Sequence, residues 1–271
     1  MNGWQWQSVE GTSYLTCDLL QGWPHGFFSK SAWPRKPDEL VSILQPEAPA
    51  YRVKQVHGNR VLTPTEMTLE SMTLSTAGDL PPADGVMSDR ALQSAWVASA
   101  DCTPVLIGDR ATGQVAAIHS GWRGTAQGIV PKAIERLRSQ GSILDDLVIA
   151  LGPAIAGKVY QVGKDVAVEV AQSLFPGTPP TQGENMLNIL QMLPNSPLIE
   201  DAAPGKIRLD VRRAIALQLE KMGIRSQQIK VCPLCTYQDE AHFFSYRRTQ
   251  EKKVQWSGIV SVAAPNDEKG G

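Results

Sequence analysis

Short apolar runs, each cut off by glycine, proline or aspartate, alternate along this chain with stretches of helical spacing. That alternation restricts the fold to a mixed α/β class. Residues 94–108 are mostly apolar, with Asp101-Cys102-Thr103-Pro104 interrupting them, which reads as a strand, a kink and a second strand. Residues 114–118 read as a further strand ending at His119, and residues 146–151 as a buried strand closed by Gly152-Pro153. Between them Ile129, Val130, Ile134 and Leu137 share one helical face, with Pro131 confined to the first turn, where its missing N–H is harmless. Helices are also expected over residues 162–174 and 209–222, and strands over 51–57, 229–232 and 259–263. Residues 83–87 re-enter the core. Four prolines between 31 and 49 limit any helix there to a short one, and residues 63–82 and 175–204 read as irregular excursions. No repeat and no linker is visible. The expectation is a single domain over residues 1–264, a mixed β-sheet flanked by helices, followed by a polar tail at 265–271.

Composition removes several function classes. The 26 basic and 27 acidic residues leave a net charge of −1 with no basic run, so nucleic acid is not an expected partner. The start, Met-Asn-Gly-Trp-Gln-Trp-Gln, lacks the basic and apolar regions of a secretory signal, and no apolar stretch is long enough to span a bilayer. A cytoplasmic enzyme acting on a small molecule, as monomer or small homo-oligomer, is the expectation. Four cysteines in 271 residues are too few for a disulfide framework.

The chemistry concentrates on His57, Cys102 and His119. All three sit at expected strand ends beside glycine or proline, and catalytic zinc sites take three such ligands and leave one position open. Each histidine taken alone is more often a hydrogen-bonded structural residue. The same residues also permit a Cys–His hydrolase, with Cys102 as nucleophile, His119 as base and Asp101 or Asp84 nearby. Residue types do not separate the two uses. Cys232-Pro-Leu-Cys235 is a lone C-x-x-C without a second ligand pair and reads as two ordinary thiols, and His25 and His242 read as structural.

Several motifs occur in one order: Lys54-Gln55-Val56-His57-Gly58, Ala83-Asp84-Gly85-Val86, Ala100-Asp101-Cys102-Thr103-Pro104, and His119-Ser120-Gly121-Trp122-Arg123-Gly124. Leu151-Gly152-Pro153, Tyr160-Gln161-Val162-Gly163 and Phe243-Phe244-Ser245-Tyr246-Arg247-Arg248 follow them. Together they resemble the YfiH family, also called the polyphenol-oxidase or laccase-domain family, over most of the chain. Ser120 stands where the family usually has alanine. The resemblance implies an α/β fold related to cysteine hydrolases. It also implies a metal site of His57, Cys102 and His119, holding zinc with copper as the alternative ion. It implies enzymes of purine nucleosides that phosphorolyse adenosine, inosine and methylthioadenosine and deaminate adenosine. A laccase label and the editing of peptidoglycan precursors are the other activities it brings. On this reading Cys102, His119, Asp101 and Asp84 are the expected catalytic residues, and Arg123, Gln55, Tyr246 and Arg247 bind nucleoside and phosphate. Asp84 or Asp101 would either orient a ligand histidine or act as a general acid. A multicopper oxidase needs more histidines than the four present. A non-catalytic scaffold would show a fourth protein ligand on its zinc.

Overall fold

The computed structural model describes residues 1–72 and 79–264. The chain opens with β1 (Trp4–Val9) and β2 (Thr12–Cys17), a hairpin whose turn residues Glu10 and Gly11 both have positive φ, as a two-residue turn between twisted strands requires. Then come β3 (His25–Phe28), the short proline-led α1 (Pro37–Leu44), β4 (Ala50–Tyr51), β5 (Val61–Leu62) and α2 (Pro64–Ser71). The centre of the chain supplies β6 (Gly85–Met87), β7 (Ser94–Ser99), β8 (Thr103–Asp109) and β9 (Val115–Ser120). After these are α3 (Trp122–Ala126), α4 (Ile129–Ser139), β10 (Leu147–Leu151), β11 (Gln161–Gly163) and α5 (Lys164–Leu174). The last third holds α6 (Gly183–Gln191), β12 (Leu198–Glu200), β13 (Lys206–Leu209), α7 (Val211–Lys221), β14 (Ile229–Val231), α8 (Tyr246–Thr249) and β15 (Gln255–Val260).

The mixed sheet expected from the sequence is realised as three sheets, ordered β1-β2-β3-β15-β7-β4, β14-β10-β8-β9-β6-β5 and β11-β13-β12. The second is central, and its strands β8, β9 and β10 are buried on both faces, which explains their near-continuous apolar character. The period of two divides its side chains between two cores. Val105, Ile107, Ala116, Ile118, Ile149 and Leu151 face the helices, meeting Ile134 of α4, Val170 of α5 and Ile215 of α7. Leu106, Val115, Ala117, Val148 and Ala150 face the first sheet, meeting Leu15, Phe27, Val97 and Ile259. The order is therefore sheet, sheet, helices. The interruption at Ala100-Asp101-Cys102 is where the chain leaves the first sheet at β7 and enters the second at β8.

Four expectations change. Residues 51–57 do not form one strand: regular pairing stops at Tyr51, Lys54 makes an isolated bridge to Pro82, and His57 takes a φ of 60°. Within residues 63–82, α2 begins with a capping box in which Thr63 Oγ1 accepts from the Glu66 N–H and the Glu66 carboxylate accepts from the Thr63 N–H. Within 175–204, α6 buries Met186, Leu187 and Leu190, and β12 joins the small sheet. Residues 161–163 pair with β13, so α5 starts two residues later than the expected helix. The expected tail at 265–271 lies outside the described residues.

Candidate metal centre and its cavity

His119 is the second-last residue of β9, directly opposite Pro104 of β8, and Ser120 pairs with Thr103, so the residues just beyond each strand, Cys102 and Gly121, also face one another. A Cβ on Gly121 would lie 2.7 Å from Cys102 Sγ. Glycine is required there by contact with the thiol, and φ at this residue is an ordinary −76°. Gly121→Ala is expected to push Cys102 out of place and weaken metal binding at least about tenfold, on the scale of disturbing a ligand's support. Metal titration of the purified variant checks it, and wild-type affinity would refute the contact argument.

His57 reaches the same point from another element. The N–H groups of Val56, His57 and Gly58 all donate to the Asp84 carboxylate, at 3.2, 2.9 and 2.7 Å. Three consecutive amides on one carboxylate form a nest, which holds His57 in the left-handed region and ends the strand expected there. Asp84 is fully buried and also accepts from His119 Nδ1 at 2.9 Å, so it orients His119 and His57 together. Burial opposes its charge, but the His119 imidazole and the nest hold its carboxyl below the usual range. Of the two roles expected for Asp84, the geometry matches the orienting one, and the residue does not line the cavity described below.

Ligand atoms of His57, Cys102 and His119 all lie within 4.8 Å of one another, and the two imidazole rings stand edge to face with centroids 4.9 Å apart. With Nδ1 committed to Asp84, His119 has Nε2 left for the centre. The site is electrostatically poised. Burial disfavours the Cys102 thiolate, but His119 and His57 outweigh it and bring the thiol down to about 6. Burial likewise opposes charge on His119, yet the Cys102 thiolate and Asp84 raise it to about 9. Between those values the metal-free centre is a thiolate–imidazolium pair. A metal ion must displace the His119 proton, so its affinity falls as the pH is lowered.

This gives a second expected result. In metal-free protein, alkylation of Cys102 by iodoacetamide should stay fast from pH 8 down to about 6 and decline below that, as the thiolate gains its proton. Cys17 and Cys232 are buried and pushed up to about 11 and 12, so they should not compete. Peptide mapping of the label against pH checks both, and a midpoint above 8 at Cys102 would contradict the pairing.

The cluster lines a cavity of about 600 Å³. Trp122, Tyr160, Tyr246 and Trp256 contribute aromatic walls, and Arg123, Arg247, Lys252 and Lys253 contribute cations. Arg123 is exposed, stacks 4.4 Å over Trp122 and has no hydrogen-bond or ion-pair partner among the described residues. Arg247 lies 4.7 Å over the Tyr160 ring and donates to the Gln161 carbonyl at 3.0 Å. Burial pushes the Tyr160 phenol up to about 12, with Cys102 and Asp101 adding to the rise while Arg247 and Arg123 partly offset it, so the phenol keeps its proton.

Not every residue expected at the site does what was expected. Gln55 lines the cavity, but its amide is paired with the Ala98 backbone in both directions, at 2.8 and 2.7 Å, substituting for a strand partner of β7. Asp101 also lines it, with a carboxylate that accepts from Thr236, Ser245 and the Arg247 N–H. His25 and His242 lie elsewhere, bonded to Trp23 and Cys17 and to Asp239. Cys235 accepts from the Ala156 N–H at 3.2 Å, and both cysteines of the C-x-x-C are free and buried. Tyr160, Trp122 and Trp256 carried no expected role. Tyr160 lay in a quoted motif without chemistry attached, and nothing local marks Trp256.

Residues 38–261 match the family model described as multi-copper polyphenol oxidoreductase laccase. A Synechocystis sp. protein named purine nucleoside phosphorylase slr1573 is 52% identical over 258 residues, covering 95% of this chain and 97% of that protein. The purine nucleoside phosphorylase YlmD of Geobacillus stearothermophilus is 32% identical over 197 residues, 72% of this chain and 65% of the relative. The crystal structure of YlmD from that organism superposes with a TM-score of 0.77 at 26% identity, covering 97% of this chain and all of the other. The Bacillus licheniformis hypothetical protein YfiH shares the fold, with a TM-score of 0.74 at 22% identity over 95% of this chain and 98% of that one. No helix among the described residues is long and apolar enough to cross a membrane.

Proposed function

The chain belongs to the multi-copper polyphenol oxidoreductase laccase family, and from that premise we propose that it is a zinc-dependent purine nucleoside phosphorylase that also deaminates adenosine. The observation that carries the reading is the cavity. A single thiolate–imidazole cluster and flat aromatic faces line it, and at least one unpaired guanidinium stands ready for an anion. The relatives named purine nucleoside phosphorylase support the same assignment.

Two imidazoles and one thiolate fit the three-ligand arrangement of catalytic zinc. The donors of the cluster suit one ion, and the remaining two histidines are bonded elsewhere, so the multi-copper description of the family has too few ligands here. Bound zinc would supply Lewis acidity beside the open face of the cluster. The chain's own residues do the rest. Tyr160, Tyr246, Trp122 and Trp256 offer π-faces to a purine, and Arg123 and Arg247 neutralise phosphate. In phosphorolysis an oxygen of hydrogen phosphate bonds to the anomeric carbon as the C1′–N9 bond breaks. The base leaves with that electron pair, and the proton carried by phosphate ends on it. No further acid or base is consumed, so the cavity has chiefly to hold phosphate and nucleoside together and exclude water. Deamination replaces the adenine amino group by a water oxygen and releases ammonia, giving inosine from the same bound nucleoside. Inosine, adenosine and methylthioadenosine are the proposed phosphorolysis substrates.

The test is release of hypoxanthine from inosine with and without phosphate. Free base together with ribose 1-phosphate, formed only when phosphate is present, supports the reading. Equal release without phosphate makes the protein a hydrolase, and no turnover of inosine, adenosine or methylthioadenosine removes the purine function. The thiolate of Cys102 paired with His119 also suits a cysteine hydrolase, which would be recognised by an acyl group trapped on Cys102.

A further inference from the structure

Asp101 is one of two non-glycine residues beside the cluster with a left-handed backbone, at φ 87°, and it directly precedes Cys102. Its carboxylate receives three donors from one distant segment: Thr236 Oγ1–H at 2.7 Å, Ser245 Oγ–H at 2.9 Å and the Arg247 N–H at 2.7 Å. That segment is tied together internally by Arg248, whose guanidinium donates to the carbonyls of Thr236, Tyr237 and Phe243 at 2.7–2.8 Å. Residues 236–248 therefore behave as one cross-braced unit, and that unit carries Tyr246 and Arg247 into the cavity. Arg247 then reaches across to the Gln161 carbonyl and the Tyr160 ring.

We propose that Asp101 is a positioning residue that docks the 236–248 unit against the thiolate cluster, setting the gap in which phosphate and nucleoside are held. This rests on the nucleoside phosphorylase reading for its ligands. A carboxylate accepting three hydrogen bonds is built to hold, and it has no donor to give. Its leverage comes from its place in the chain: the next residue is the thiolate, and the unit it grips carries an aromatic wall and a cation. Errors of about 1 Å in such a gap are known to matter by up to about 100-fold.

Two substitutions separate positioning from proton transfer. Asp101→Gly keeps the left-handed backbone and removes the acceptor. Asp101→Asn also tolerates that backbone, and its amide oxygen can still accept from Ser245 and Arg247 while the Thr236 hydroxyl turns to accept from its NH₂. In the zinc-loaded protein, Asp101→Gly is expected to raise KM for phosphate with inosine about tenfold or more, leaving zinc stoichiometry unchanged. Asp101→Asn is expected to stay within about threefold of wild type in both kcat and KM. Hydrogen exchange of the 236–250 amides should rise in Asp101→Gly and not in Asp101→Asn. That readout needs no substrate, so it tests the docking even if the nucleoside reading fails. Equal loss of kcat in both variants with unchanged KM and exchange would make Asp101 a proton-transfer residue and overturn the proposal. Unchanged KM and exchange in Asp101→Gly would overturn it as well.

Discussion

Replacing Cys102 with alanine is expected to empty the centre and stop the reaction. Bound zinc should fall from about one per chain to a trace, and kcat/KM for inosine should fall by on the order of 10³ or more, the scale of deleting a group around which a site is organised. Cys102 is the single anionic member of the cluster, and it is held as thiolate by the two imidazoles beside it. Without it, two neutral nitrogens remain as ligands, too few for a catalytic zinc site. The variant should still fold, because Cys102 sits in the crossing between sheets, outside the two cores that hold them together. Metal analysis, circular dichroism and the phosphate-dependent assay on the same preparation check the three parts. A folded, zinc-free variant that retained more than about a tenth of wild-type turnover would show that the chemistry lies elsewhere.

The second large effect is expected at Asp84. Asp84→Ala removes one carboxylate and leaves four donors without an acceptor: the amides of Val56, His57 and Gly58 and the Nδ1–H of His119. The carboxylate is completely buried and His119 is only 4% exposed, so water does not readily replace it. Removing one member of a buried charged pair costs about 3–5 kcal/mol, and loss of the partner that orients a ligand histidine weakens metal binding by about 10- to 100-fold. Both losses should appear together, as a lower unfolding midpoint in denaturant and a weaker zinc isotherm. Asp84→Asn should lie between, since one amide oxygen can accept but its NH₂ faces N–H donors. An Asp84→Ala variant with wild-type stability and zinc affinity would mean that the nest and His119 are held by something else.

Cys102 and His119 were legible in the sequence because each lies at an end of an apolar run, and strand ends are where side chains are held against a cleft, whereas His57 ends an alternating segment and entered through its motif. The alternation of runs also gave the α/β class, and burial on both faces of β8, β9 and β10 is why those runs were so plain. The segment before His57 misled for a physical reason. Its period of two belongs to a strand, but Asp84, 27 residues away, captures its amides and replaces the sheet. The different roles of Asp84 and Asp101 were equally out of reach, because each is defined by donors far along the chain, Asp101 by Thr236 and Arg247 at separations of 135 and 146 residues. The helix at 64–71 was a different kind of miss. Its capping box, Thr63 with Glu66, and Pro64 at the first helical position, which starts a helix, were both readable within the stretch taken as irregular. Two of the aromatic walls come from β15 and the stretch before β11, and only the fold brings Trp256 and Tyr160 to the same cavity.

The most direct test of the account is a zinc titration of the metal-free protein at pH 7.5, with phosphate-dependent release of hypoxanthine from inosine measured at each addition. The account predicts no release at the start, a linear rise and a sharp plateau at about one zinc per chain, with Cys102 becoming protected from alkylation over the same range. Full activity in the metal-free protein, or a plateau that does not coincide with protection of Cys102, would contradict it.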